Sequence, residues 1–547
     1  MLAPRTLSEQ GRSMNMRHSF ALGLACLLVT AGIHAQPAPS AGLSAEKLSQ
    51  LKAAVQREVA SQQKLAQVIN DTLFSYGELA FQEHETSSYL TTLLEKHGFQ
   101  VERNIAGMPT AWKAQWGNGR PVIALGSDID SLPKASQKPG VAYREPLVEG
   151  APGHGEGHNS GQAVNIVAAL ALKTIMQRER LSGTLVLWPG VAEELLAGKA
   201  FMVRDGLFRG VDAVLYNHVS NNLRTTWGQA DGTGMVSVQY NFKGRTAHSA
   251  LLPWKGQSAL DAVELMNVGW NFRREHLRPE QRSHYVISNG GDQPNVVPDE
   301  ASVWYFLREM DFENITANAA INWKIAQAAA DMTDTTVTRT LIGASAPRHF
   351  NRPIAEAMQA NIASVGLPPW TEDEQTFAKA VQTLVSSKPT GLNTTAPATL
   401  AAPSSPARSG GSDDIGDVSW VAPTVTLYYP ANIPNVPSHH WAAAMAMATP
   451  IAHKGIIAGA RVTAMTAVDL LTQPEILVAA HQYFNQTQLA SQKYTPLIGP
   501  QDRPQIHMNQ EVMEKFRPQM RRFYYDAGKY DTYLDQLGIK FPQLTKP

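Results

Sequence analysis

The chain has 547 residues, 43% of them hydrophobic, enough for a large core and more than one domain. Its 47 Lys and Arg residues match its 47 Asp and Glu residues, so the formal net charge is zero. With no polybasic run either, this balance excludes a nucleic acid or an anionic membrane as an electrostatic partner.

Arg17 and His18 precede an apolar run from Phe20 to Ile33, and Ile33-His34-Ala35 offers a small residue for cleavage before Gln36. Residues 1–35 therefore read as an export signal, with Met14 or Met16 as alternative starts, and a periplasmic or secreted protein is expected. The bland alternative is the start of a buried helix. The only cysteine, Cys26, lies inside this signal. A mature chain would then hold no disulfide and no thiolate ligand. No other apolar run of 18 residues stands out, so a mature protein outside the membrane is expected.

Helical patterning runs from Ser44 to about Leu79, and Thr86 reads as the N-cap of a helix ending near Gly98. Pro121–Leu125 is a buried-type strand that runs into Gly-Ser-Asp-Ile-Asp. An Ala-rich helix from Ser160 to about Arg178, a strand Thr184–Trp188, a helix through Met202 and a strand Asp212–Tyr216 follow. That alternation predicts an α/β domain with a central sheet. At Gly234 the period changes: Val236, Val238 and Tyr240 alternate, as do Val303, Tyr305 and Leu307, with helical stretches from about Ser258 and Ile315. A small α+β sandwich is expected there, inserted into the larger domain. The expected division is a catalytic domain built from segments 44–233 and 347–493, the insert at 234–346 and a surface extension at 494–547. The later catalytic segment holds a strand Val425–Tyr428, a long Ala-rich helix from about Trp441, and a Pro/Ser/Thr-rich loop from Ser386 to Gly411.

Metal-type ligands concentrate at four places, mostly at strand ends, where α/β sheets build their sites. In Gly153-His-Gly-Glu-Gly-His-Asn159, His154, Glu156 and His158 alternate with glycines that let the backbone turn tightly. The bland reading is a polar turn with Asn159 or Ser160 capping the next helix. Glu193 and Glu194 are adjacent acids whose repulsion a cation would relieve, or simply a solvated helix start. His218 follows an apolar strand, and His439-His440 precede Trp441; each is a candidate ligand or an ordinary polar residue. Taken together, imidazole and carboxylate ligands suit zinc, manganese or cobalt, and a pair of such ions can bind and activate one water.

At these residues the chain resembles the aminoacylase and carboxypeptidase G type metallopeptidases, and within them the p-aminobenzoyl-glutamate hydrolase B-subunit group. The matching stretches are 153–159, Gly198–Arg204, Ser258–Ala262, Pro294–Val297, Asp414–Trp420 and Ile451–Gly455. The likeness implies a zinc-exopeptidase-like domain with a mixed sheet, an inserted lid that makes a homodimer, two divalent metal ions and a small-molecule amide substrate. It implies Glu193 as the general base, Glu156, His158, Glu194, His218 and His439 as metal ligands, and His248 as a lid residue that steadies the intermediate, often in the partner's site. It implies Asn295 and Arg308 as holders of a substrate carboxylate; for Arg308 a structural pairing with an acid is the alternative. Three departures stand out: Glu156 where relatives carry cysteine, altered spacing at Val191-Ala192, and Trp254 where relatives carry histidine. The carboxylate hardens the site and suits an oxidising compartment. Rival functions are a dipeptidase or N-acyl amino-acid deacylase, and, from another class, a non-catalytic exported metal- or ligand-binding protein.

Overall fold

The computed structural model describes residues 43–546; the expected export signal and Cys26 lie outside the described residues. In chain order the strands are β1 (Gln100–Arg103), β2 (Trp112–Asn118), β3 (Val122–Asp128), β4 (Gly183–Gly190), β5 (Ala213–Ser220), β6 (Arg224–Thr225) and β7 (Gly228–Gln229). They continue with β8 (Gly234–Lys243), β9 (Arg282–Asn289), β10 (Glu300–Glu309), β11 (Thr336–Ser345), β12 (His349–Phe350) and β13 (Thr424–Pro430).

A seven-stranded sheet has the order β1-β2-β4-β3-β5-β13-β6. Its centre, β4-β3-β5-β13, is parallel, and the flanking pairings are antiparallel, so the sheet is mixed. The apolar cores of β3, β4 and β5 are buried on both faces, as parallel strands between helices must be. Helices Gly161–Glu179 and Pro450–Thr472 pack on each other and against β3, β5 and β13. The second of these is long and apolar enough to cross a bilayer, contrary to the sequence expectation, but 89% of its apolar window is buried inside the fold. Its apolar character serves the core.

The insert forms a four-stranded antiparallel sheet, β11-β8-β10-β9, carrying helices Ala259–Arg274 and Phe312–Met332. Val236, Val238 and Tyr240 of β8 and Val303, Tyr305 and Leu307 of β10 are buried on the face that the alternation predicted. Trp270 is fully buried against Tyr305 and donates its Nε1–H to Ser283. On the outside, Leu265, Val268 and Phe272 of the first insert helix and Val286 and Ile287 of the edge strand β9 are exposed.

Several boundaries differ from the sequence reading, each for a physical reason. The helix read as starting at Thr86 begins at His84, because the buried Glu78 carboxylate accepts from the backbone N–H of both Glu85 and Thr86 and so caps the helix from a distance. The helix read from Trp441 begins at Pro450, after Thr449; the Ala-rich segment before it forms only a short 3₁₀ turn. Strands β1 and β2 went unread because they are short and partly exposed. The C-terminal stretch is more than a surface drape. Tyr533 is fully buried beside Phe74, with its N–H donated to Asp71, and Arg517 pairs with Glu78 at 2.9 Å.

Arg517→Met should strand the fully buried Glu78 carboxylate, and removing one partner of a buried pair costs about 3 kcal/mol or more. Urea unfolding monitored by tryptophan fluorescence checks this; an unchanged midpoint would deny the extension its anchoring role.

Candidate metal centre

The chain leaves β3 for β4 on one side, then crosses back to place β5 on the other side of β3. This reversal opens a crevice at the carboxyl ends of the strands. Asp128 ends β3, the Glu193–Glu194 turn follows β4, His218 stands near the end of β5, and the 153–159 loop links β3 to its helix. His439 reaches in from the loop after β13, in a left-handed backbone conformation (φ 54°).

These side chains converge. His439 Nε2 lies 2.9 Å from Glu156 Oε2 and 3.6 Å from Glu194 Oε2. His218 Nε2 lies 3.8 Å from Glu156 Oε1, and His158 Nδ1 lies 3.8 Å from Glu194 Oε1. The two oxygens of Glu156 thus face two different imidazoles, the arrangement a carboxylate adopts when it bridges two cations. Ligand atoms bound tetrahedrally to one ion at ~2.05 Å sit roughly 3.3 Å apart, close to this spacing.

The donor set fits divalent cations on independent grounds. Both ring nitrogens of the buried His158, Oε1 of Glu194 and Oδ1 of Asp130 are shut off from solvent without a hydrogen-bond partner. Orphaned polar atoms of this kind are costly unless something else binds them. His218 Nδ1 is 2.9 Å from the Val219 carbonyl, which assigns the proton to Nδ1 and turns the Nε2 lone pair into the crevice. Against the raising effect of burial, the His439 contact and the neighbouring imidazoles hold the Glu156 carboxyl below its ordinary range. Burial opposes a charge on His158, yet Asp130, Asp128, Glu156 and Glu194 push its basicity well up. The acids and imidazoles of the cluster thus favour one another's charged forms.

Glu193 is buried and lines the same cleft, of about 320 Å³, as Glu156, Glu194, His218 and His439. Burial, then Asp128 and Asp413, hold its carboxyl well above the ordinary carboxylate range. Its turn is strained: Ala192 (φ 52°) and Leu196 (φ 51°) are non-glycine residues in the left-handed region, which costs roughly 1–2 kcal/mol each. Three buried carboxylates clamp it by accepting backbone N–H groups: Glu83 from Ala192, Asp130 from Glu194, and Asp414 from Gly198 and Lys199. The fully buried Lys199 ammonium bridges Asp128, at 2.6 Å, and Asp414, while the Tyr216 hydroxyl donates to Asp128. Gly190 must be glycine, since a Cβ there would overlap the Asp128 carboxylate.

Sequence reasoning missed Glu83, Asp128, Asp130, Lys199, Asp413 and Asp414. The Asp128-Ile-Asp130 pair was visible as polar residues ending a strand, and that position was the available signal. The Asp413-Asp414 pair sits just after a low-complexity loop whose composition hid it.

Other candidates fall elsewhere. His154 is buried away from the cluster, its Nε2 on the Leu73 carbonyl, and burial lowers it to about 3, so it is a neutral core histidine. Ser160 occupies the N-cap position of the next helix, as one of the two residues read for it, but makes no side-chain capping bond: its hydroxyl meets Gly157 and Tyr429, and the Asn159 side chain donates to Asn70 and Met447. Arg308 lines the cleft, donates to Ser412 Oγ at 2.7 Å and forms no ion pair among the described residues, so the pairing with an acid is not what holds it. Arg348 lines the cleft beside it, 3.8 Å from Asp413. His248 and Asn295 are exposed on the insert and do not line this cleft. His248 Nδ1 accepts from the N–H groups of Ala250 and Leu251, which leaves Nε2–H as the donor of a neutral ring.

Residues 233–333 match the family model described as the peptidase dimerisation domain. The chain is 35% identical over 452 residues to the B-subunit of p-aminobenzoyl-glutamate hydrolase from Escherichia coli, covering 76% of this chain and 91% of that protein. It is 25% identical over 459 residues to the Xaa-Arg dipeptidase of Mus musculus, covering 82% and 95%. Among solved structures, an aminohydrolase assigned by inference from methicillin-resistant Staphylococcus aureus superposes with a TM-score of 0.54 at 20% identity, over 77% of this chain and all of that one, a likeness of fold.

Zn²⁺ or Mn²⁺ at about 100 times its Kd should stabilise the protein by roughly 2.7 kcal/mol. The readout is a rise in thermal midpoint that EDTA reverses and that Glu156→Gln or Glu194→Gln diminishes. A melt insensitive to both ions would remove the cation from this cluster.

Proposed function

The chain belongs to the M20 peptidase family, and from that premise we propose that it is an exported amidohydrolase that cleaves an N-acyl or aminobenzoyl amino acid of the p-aminobenzoyl-glutamate kind. The family's members act on amide bonds through metal ions. The observation that carries the finer reading is that a buried, proton-affine Glu193 shares one cleft with a ligand set for two cations and with a guanidinium that forms no ion pair among the described residues.

Glu156, His158, Glu194, His218 and His439 would hold two ions, zinc or manganese, with cobalt also suited to such ligands. When bound, the ions polarise the amide carbonyl and acidify a water. Glu193 takes the proton of the attacking water and returns it to the departing amine nitrogen. Burial raises its proton affinity above that of an ordinary carboxylate, which suits it to hold that proton in transit. Arg308, with Arg348 next to it, holds the substrate's carboxylate and so sets the amide over the base. Ser412 keeps the Arg308 fork oriented.

His248 and Asn295 enter by assembly. The exposed apolar stripe of Leu265, Val268 and Phe272 and the open edge of β9 are the surface through which two copies would pair. In the pair, the Nε2–H of His248 from one copy donates to the oxyanion forming in the other, and Asn295 joins the carboxylate holders. Export rests on the reading of residues 1–35.

A dipeptidase is the second reading. Asp231 and Asp413 line the cleft as well, and their charge would suit the ammonium of a dipeptide. A non-catalytic binding protein would keep the ions and cleave nothing. Hydrolysis of a panel of aminobenzoyl-amino acids, acyl-amino acids and dipeptides, with and without chelator, separates the three.

Glu193→Gln should keep its metal by mass spectrometry yet lose about 10²–10⁴ in kcat; a near-normal rate would take Glu193 out of the role. Arg308→Met should raise KM far more than it lowers kcat. Phe272→Glu should shift the sedimentation mass from dimer to monomer and reduce turnover with it. A mass that fits neither one nor two copies in the unaltered protein would point to a second, different subunit.

A further inference from the structure

Helix Pro450–Thr472 is sunk in the core for most of its length, and it opens outward at His453, Lys454 and Arg461, all on one side. These three and Gln63 line a pocket of about 370 Å³ that shares no lining residue with the catalytic cleft. Its remaining walls are apolar: Val365, Leu367, Pro368 and Pro369 on one side, Ile457 and Ala458 on the other. Gly366, at φ 67°, turns the chain out of the preceding helix so that the two prolines form a stiff wall.

The charges in this pocket are unequally served. His453 Nε2 is 2.7 Å from the buried Asp71, and Lys454 is 2.8 Å from the buried Glu374. Arg461 has no such partner. Its Nε is shut off from solvent with no hydrogen bond, and among the described residues no carboxylate lies within ion-pair distance of it. Leaving a shielded donor unmet costs about 1–3 kcal/mol. A guanidinium fork is also the group best matched to a carboxylate, which it binds bidentately. One unmatched cation in a cavity where His453 and Lys454 already have partners and the remaining walls are apolar defines its guest: one negative charge on a compact apolar body.

We propose that this pocket is a second ligand site, taking a small monocarboxylate with an apolar body. Arg461 grips the carboxylate, and the 365–369 wall with Ile457 and Ala458 covers the rest. The site requires neither metal nor catalysis, so it stands apart from the reaction proposed for the cleft.

Photolabelling the full-length protein with 4-benzoylbenzoate, followed by peptide mapping, tests this. Labels should fall on residues 365–369 or 453–461. They should drop at least tenfold in Arg461→Met, in Leu367→Trp, which fills the cavity while keeping the cation, and with the uncharged 4-benzoylbenzamide in place of the acid. Undiminished labelling of these segments in either variant, equal labelling by the amide, or labels confined to the catalytic cleft would overturn the proposal. If Arg461→Met fails to fold, Leu367→Trp and the amide control decide the question by themselves.

Discussion

An excess of buried negative charge governs this fold. Asp128, Asp130, Glu156, Glu193, Glu194, Asp413 and Asp414 crowd the carboxyl ends of neighbouring parallel strands. Like charges at such distances raise one another's proton affinity, and burial adds to the effect. The chain answers in two ways. Where nothing needs to enter, it installs its own cation: Lys199, fully buried, neutralises Asp128 and Asp414 and ties β3 to the segment before β13. Around Glu156 and Glu194 it supplies only the imidazoles of His158, His218 and His439. Structural and reactive halves of the site thus differ in who supplies the positive charge.

The same anions shape the backbone. Glu83 and Asp130 accept N–H groups of the strained 192–196 turn, and Asp414 accepts those at the start of the helix that follows it. The strain at Ala192 and Leu196 is held by the buried carboxylates that surround it, and Glu193 inherits a fixed direction from that confinement. A side chain so held would lose little entropy in acting as the proposed base.

Much of this was legible in the residues. Apolar runs ending abruptly in ligand-type side chains located β3, β4 and β5, and a change of period at Gly234 located the insert, because burial on two faces and on one face leave different patterns. The supporting acids were not legible. Asp128 and Asp130 look like any polar strand end, and Glu83 looks like a solvated helix start until its donors are seen, the backbone N–H of Ala192, 109 residues away, and the hydroxyl of Thr110. His154 misled in the opposite direction: alternation with glycine made it resemble its neighbours, and only its burial against Phe74 and the Leu73 carbonyl distinguishes it. Local sequence reports what a residue can bind, and only tertiary contact reports what it already holds.

Early and late segments of the described chain close upon each other, and this bears on how the protein folds. Asp71 waits for His453 and for the N–H of Tyr533, Glu78 waits for Arg517, and Ser75 waits for the N–H of Tyr525. Each of these bonds joins residues 382 or more positions apart in the chain. Until the segment with Arg517, Tyr525 and Tyr533 docks, Glu78, Ser75 and Asp71 on the opening helices and the turn after them lack these partners. Closure over such sequence distances slows folding, because the entropy of the loop is lost before the contact forms.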